Sequence, residues 1–100
     1  MDSSELNKSL SRLPYMSGQL LEAFRAVDRR IFVPASQQHR AYEDRPLPIG
    51  WGQTISQPQT VAFMLSLLDV HPGMHVLEVG SGSGYVLALL SRLVGDSGMV

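Results

Sequence analysis

Residues 74–94, MHVLEVGSGSGYVLALLSRLV, decide the fold. Residues 74–79 are rich in Val and Leu and run into a glycine, the pattern of a short buried strand. Gly80, Gly82 and Gly84 alternate with Ser81 and Ser83, and YVLALLSRLV then has helical length and composition before Gly95. Met99 and Val100 read as the opening of another strand. Strand, glycine turn, helix and a second strand make the first unit of a parallel α/β sheet.

Upstream, a helix is expected from near Ser56, a good N-cap residue, with Pro58 in the first turn where a missing N–H costs little. Its body VAFMLSLL is apolar nearly all round, and it ends at His71-Pro72-Gly73. Residues 41–52, AYEDRPLPIGWG, hold two prolines and two glycines, which exclude a long helix or central strand and favour an ordered loop. Leu20, Leu21, Phe24 and Val27 recur at helical spacing, so residues 17–30 read as an amphipathic helix closed by Pro34. Residues 1–57 thus form an N-terminal helical and loop region, and residues 58–100 begin an α/β domain. One complete strand cannot make a sheet, so the chain is expected to be a piece of a larger domain, truncated at the start of its second strand, unless a partner supplies the rest.

Composition narrows the function. Hydrophobic residues make up 44% and charged residues 17% of the chain, which suits a globular protein. A formal charge of -1 gives no basic footprint for nucleic acid or an anionic membrane. The longest apolar runs fall well short of the ~18 residues of a membrane span. The scattered Leu6, Leu10 and Leu13 do not form a secretory signal, and with zero cysteines this favours the cytoplasm. Neither thiolate chemistry nor zinc-thiolate binding is available, and three widely spaced histidines form no metal motif, so no metal is expected.

The glycine turn lies where open α/β sheets bind ligands, at the C-terminal end of a strand. A Gly/Ser linker or a plain tight turn is the alternative, but apolar elements abut both sides. Spacing separates the ligand classes. A dinucleotide fingerprint wants glycine at the position of Tyr85, and a P-loop wants lysine where Val86 and Leu87 stand. Glu78 is a carboxylate among Val76, Leu77 and Val79, costly on a covered strand unless it is paired. A cationic ligand would pair it; an exposed strand end or an internal arginine would also account for it.

The run Glu78-Val79-Gly80-Ser81-Gly82-Ser83-Gly84 resembles motif I of the class I S-adenosylmethionine-dependent methyltransferases. Further upstream, residues 45–58, RPLPIGWGQTISQP, resemble the signature of the protein-L-isoaspartate O-methyltransferase family. The segments VDRRIFVP at residues 27–34 and AYED at 41–44 are similar to that family's pre-motif region, so the likeness runs from about Leu20 to the end. It implies a Rossmann-like fold with S-adenosylmethionine as cofactor. Isoaspartyl residues of damaged proteins would be the acceptors, and the complete protein would work as a monomer. By the same resemblance Gln53, Thr54, Ile55, Ser56, Glu78, Gly80, Ser81, Gly82, Ser83 and Gly84 contact the cofactor, Glu78 near its methionine portion, and Ser56 holds the position of the active serine. Val61 stands where some members have a cofactor-contacting histidine, so that contact is not carried over.

Methyl transfer to a carboxylate needs no strong base, because the acceptor, with a pKa near ~4, is already ionised at neutral pH. Alignment and desolvation are what a protein must supply, and a hydroxyl such as Ser56 suits that task. Ser56 also reads as a helix N-cap, a compatible role. Two other readings also fit the sequence: a methyltransferase of the same scaffold with another peptide or an RNA acceptor, and a noncatalytic binding module.

Overall fold

The computed structural model describes all 100 residues. Helix α1 (Ser3–Ser11) adds an element to those located from the sequence; the Asp2 carboxylate caps it by accepting from the Glu5 N–H at 2.8 Å, and Leu6 and Leu10 are buried one turn apart. Helix α2 (Gly18–Ala26) begins where the Ser17 hydroxyl accepts from the Leu20 N–H. It stops short of residue 30, because Val27 is extended and Asp28 starts a new 3-10 turn over Arg29–Phe32 by accepting from the Arg30 N–H. A further 3-10 turn, Ala35–Arg40, follows Pro34. Helices α3 (Pro58–Leu68) and α4 (Tyr85–Val94) stand where the sequence placed them.

Two expectations need correction. The loop over residues 41–52 contains strand β1 (Leu47–Gly50), which pairs antiparallel with β2 (Gln53–Ile55), Leu47 opposite Ile55. Proline bars a central strand, yet a two-stranded ribbon is all edge, and Pro48 loses no required donor there. The pairing is also irregular between Pro48 and Gly50. The second correction concerns residues 74–79. Only the first parallel rungs form: Met99 N–H donates to the Met74 carbonyl at 3.0 Å and Val76 N–H to the Met99 carbonyl at 2.8 Å. Leu77 and Val79 are 87% and 90% exposed, so this strand is not buried within these 100 residues. A parallel strand needs cover on both faces, and nothing in the chain supplies it past Val76.

The core runs through both halves of the chain. Leu6 and Leu10 of α1, Leu20 and Phe24 of α2, Leu47 and Ile55 of the ribbon, Val61 and Leu65 of α3, and Tyr85, Leu89, Leu90 and Leu93 of α4 form one buried cluster. Tyr85 is its polar corner, edge-on to Phe24 at 6.4 Å and tilted against Phe32 at 5.6 Å. Helix α3 buries Val61, Ala62 and Leu65 but turns Phe63, Met64, Leu67 and Leu68 outward. Helix α4, by contrast, hides most of its apolar side chains.

Candidate functional site

The β1–β2 ribbon carries the first set of expected site residues. Its tip, Gly50-Trp51-Gly52, has three consecutive positive φ angles of 101°, 53° and 69°, and Trp51 is 96% exposed. Two glycines make that conformation cheap, while the indole position is strained. Beyond the tip Gln53 and Thr54 are exposed, Ile55 is buried in the core, and Ser56 is exposed where the ribbon leads into α3.

Residues 42–46, just before the ribbon, are tied down at three points. The Tyr42 hydroxyl donates to the Asp28 carboxylate. Asp44 Oδ1 accepts from the Gln59 N–H at 2.9 Å, and Arg29 Nη2 donates to the Arg45 carbonyl at 3.2 Å. Burial and the bond to Asp28 push the Tyr42 hydroxyl up to about 12. The Asp44 contact overturns the capping role expected of Ser56. Gln57 holds the N-cap position of α3 without a side-chain bond, and Asp44 satisfies the exposed amide of the first turn from a distant loop. Ser56 sits one residue too early to cap.

The glycine loop has the conformation its composition allows. Gly80, Gly82 and Gly84 take φ of 77°, 54° and 87°, with open space where side chains of Gly80 and Gly82 would begin. The Gly84 N–H donates to the Ser81 carbonyl at 2.8 Å, and the Tyr85 N–H to the Ser83 hydroxyl at 3.3 Å. This loop delivers the N-terminus of α4, whose amides and dipole favour the negative end of a polar ligand. Glu78 is half-buried, and its Oε1 is shielded from solvent without a hydrogen-bond partner. Burial raises its pKa above the ordinary carboxylate value. No arginine of the chain forms a salt bridge with it.

A hollow of ≈ 130 Å³ is lined by Ser56, Thr60, Val61, Met64 and Leu65 together with Val86 of the first turn of α4. Gln53, Thr54, Glu78 and the glycines do not line it. Val61 is a core residue at 4% exposure. No group of three or more His, Asp or Glu side chains stands together to hold a metal, and no helix is long and apolar enough to cross a membrane. Sequence reasoning missed Asp44 and Arg29. Their partners lie 15 and 16 positions away, and no local pattern reveals such pairs.

The family model for protein-L-isoaspartate(D-aspartate) O-methyltransferase matches residues 2–100. Among curated relatives, the protein-L-isoaspartate O-methyltransferase of Methanothrix thermoacetophila is 56% identical over 86% of this chain, which covers 41% of that protein. A solved protein-L-isoaspartate O-methyltransferase superposes with a TM-score of 0.86 at 31% identity, over 97% of this chain and 32% of the other. A crystal structure of a beta-aspartate methyltransferase from Plasmodium falciparum, in complex with S-adenosyl-L-homocysteine, gives 0.81 at 28% identity, over 94% and 43%. The chain therefore spans less than half the length of these relatives.

Proposed function

The chain belongs to the protein-L-isoaspartate(D-aspartate) O-methyltransferase family, and from that membership we propose that it contributes the cofactor loop and acceptor hairpin of an enzyme that methylates isoaspartyl carboxylates with S-adenosylmethionine. The observation that carries the proposal is Glu78: a shielded carboxylate oxygen without a partner, beside a glycine loop with open space at Gly80 and Gly82. An unpaired buried carboxylate is costly, and a cationic ligand compensates it. The cofactor, when bound, supplies an electrophilic methyl on a sulfonium and an ammonium that suits Glu78.

The residues of this chain bind and orient. Glu78 holds the positive end, while Gly80, Ser81, Gly82, Ser83 and Gly84 let the backbone approach closely. Gln53, Thr54 and Ile55 bring the ribbon beside the ligand. Ser56, exposed and free of the capping role, donates a hydrogen bond to the acceptor carboxylate and sets it in line with the methyl group. No base is needed, because the acceptor is already ionised at neutral pH. In this reading residues 1–57 cover the site and residues 58–100 begin the cofactor domain. The acceptors are isoaspartyl-containing proteins or peptides, and the enzyme acts as a cytoplasmic monomer without nucleic acid.

A chimera joining this chain to the remaining part of the Methanothrix relative tests the proposal. It is expected to transfer labelled methyl groups to an isoaspartyl peptide and not to its aspartyl twin. A folded chimera that binds the cofactor yet leaves the isoaspartyl peptide unlabelled contradicts the acceptor assignment.

A further inference from the structure

The ribbon and the glycine loop approach the site from separate parts of the chain, and one side chain touches the supports of both. Arg29, in the 3-10 turn after α2, is 1% exposed, the only charged residue in the core. Its Nη2 donates to the Arg45 carbonyl at 3.2 Å, two residues before β1 begins. Its guanidinium lies 5.1 Å from the ring centroid of Tyr85, the first residue of α4 and the residue that follows the glycine loop. Phe32, on the same 3-10 turn, packs against Tyr85 at 5.6 Å and approaches Gly84 to 3.9 Å of its missing Cβ.

A buried guanidinium is expensive, and each contact it does make offsets part of that cost. Here one donor, Nη2, is used on the loop before the ribbon, and the cation lies over the ring of the residue after the glycine loop. Nε and Nη1 are buried without a partner, so these two contacts are what holds the charge in place. An aliphatic side chain of similar volume would fill the core, but it would make neither contact. Asp44, which caps α3, also attracts the Arg29 charge, so the same loop is drawn toward Arg29 by field as well as by hydrogen bond.

We infer that Arg29 is a positioning residue that holds the acceptor hairpin and the cofactor loop in one mutual geometry, an inference resting on the methyltransferase reading of those two segments. Arg29 acts through the Arg45 carbonyl and the Tyr85 ring, and it makes the two halves of the site move as one.

The test is amide order by NMR relaxation on the 100-residue chain, which requires no ligand and so stands or falls apart from the activity. In Arg29→Met, order parameters at Gln53–Ser56 and at Ser81–Ser83 are expected to fall together, from about 0.85 to below about 0.6, while α1 and α2 keep theirs. Arg29→Lys keeps a single compact cation that can meet the Arg45 carbonyl or the Tyr85 ring but not both at once, so it restores order at one of the two segments at most. Unchanged order at both segments, or a loss spread evenly through α1 and α2, overturns the inference. Should Arg29→Met fail to fold, Tyr85→Leu decides, because Arg29 and its bond to Arg45 remain. The inference expects the amides of Gln53–Ser56 to shift in response to this change in α4, and hairpin resonances identical to wild type would refute it.

Discussion

At the scale of single residues, Ser56 and Glu78 carry opposite expectations for stability and function. Ser56 makes no cap, so Ser56→Ala and Ser56→Asp are both expected to change unfolding free energy by less than about 0.5 kcal/mol. In the chimera, losing a hydrogen bond to a charged acceptor lowers turnover roughly 10- to 100-fold, and Asp is the worse because its charge repels the incoming carboxylate. Normal turnover in a folded Ser56→Asp chimera would remove Ser56 from the chemistry. For Glu78 burial raises the folded-state pKa above the unfolded value. The unfolded chain therefore releases that proton more readily, and the penalty on the fold grows as pH rises through the unfolded pKa. Glu78→Gln is accordingly expected to raise the melting temperature at neutral pH. The gain fades in acid below about pH 4, where both states are protonated. A lower melting temperature for Glu78→Gln at neutral pH would mean that the chain itself pairs the carboxylate. Gly82 completes the set, because an added Cβ meets no protein atom within 4 Å but needs φ of 54°. Gly82→Val is expected to cost roughly 1–3 kcal/mol in backbone strain, to keep the circular dichroism of the fold, and to abolish S-adenosylhomocysteine binding by the chimera. Binding retained there would reduce the glycine run to a plain turn.

At the scale of elements, the cap of α3 is the most testable contact. Asp44→Ala removes the acceptor for the Gln59 N–H and is expected to cost about 1 kcal/mol in denaturant unfolding, with Asn restoring part of it. No change in stability would show that the loop before the ribbon is not tied to α3. The same contact shows what was legible from sequence. Helices α3 and α4 were readable because Pro58, the apolar runs and Gly95 are local signals, and the glycine turn was readable from the strand and helix beside it. The β1–β2 ribbon was hidden because its prolines and glycines read as loop, and its register follows from Leu47 and Ile55 being buried opposite each other, a tertiary fact. Ser56 looked like a cap by residue type, whereas the true acceptor came from 15 positions away. Motif-based placement of Glu78 and the glycines needed only local sequence; the Arg29 contacts join segments that no periodicity connects.

At the scale of the whole molecule, an apolar surface is left open along Phe63, Met64, Leu67 and Leu68 of α3 and along Leu77 and Val79 of the half-formed strand. Surfaces of this kind drive association. Sedimentation of the 100-residue chain is expected to show concentration-dependent self-association, and a broad thermal transition should accompany it. A sharp melt from a monodisperse monomer would show that these faces are adequately covered. The central claim, that the glycine loop and the acceptor hairpin together face S-adenosylmethionine, is tested most directly by titrating S-adenosylhomocysteine into the isotopically labelled chain and following every amide. With only part of a family member's length present, binding is expected to be weaker than micromolar and in fast exchange. Shifts should concentrate at Glu78, at Gly80 to Gly84 and at Gln53 to Ser56. Resonances that stay still at those positions at the highest ligand concentration, or shifts confined to α1 and α2, would contradict the account.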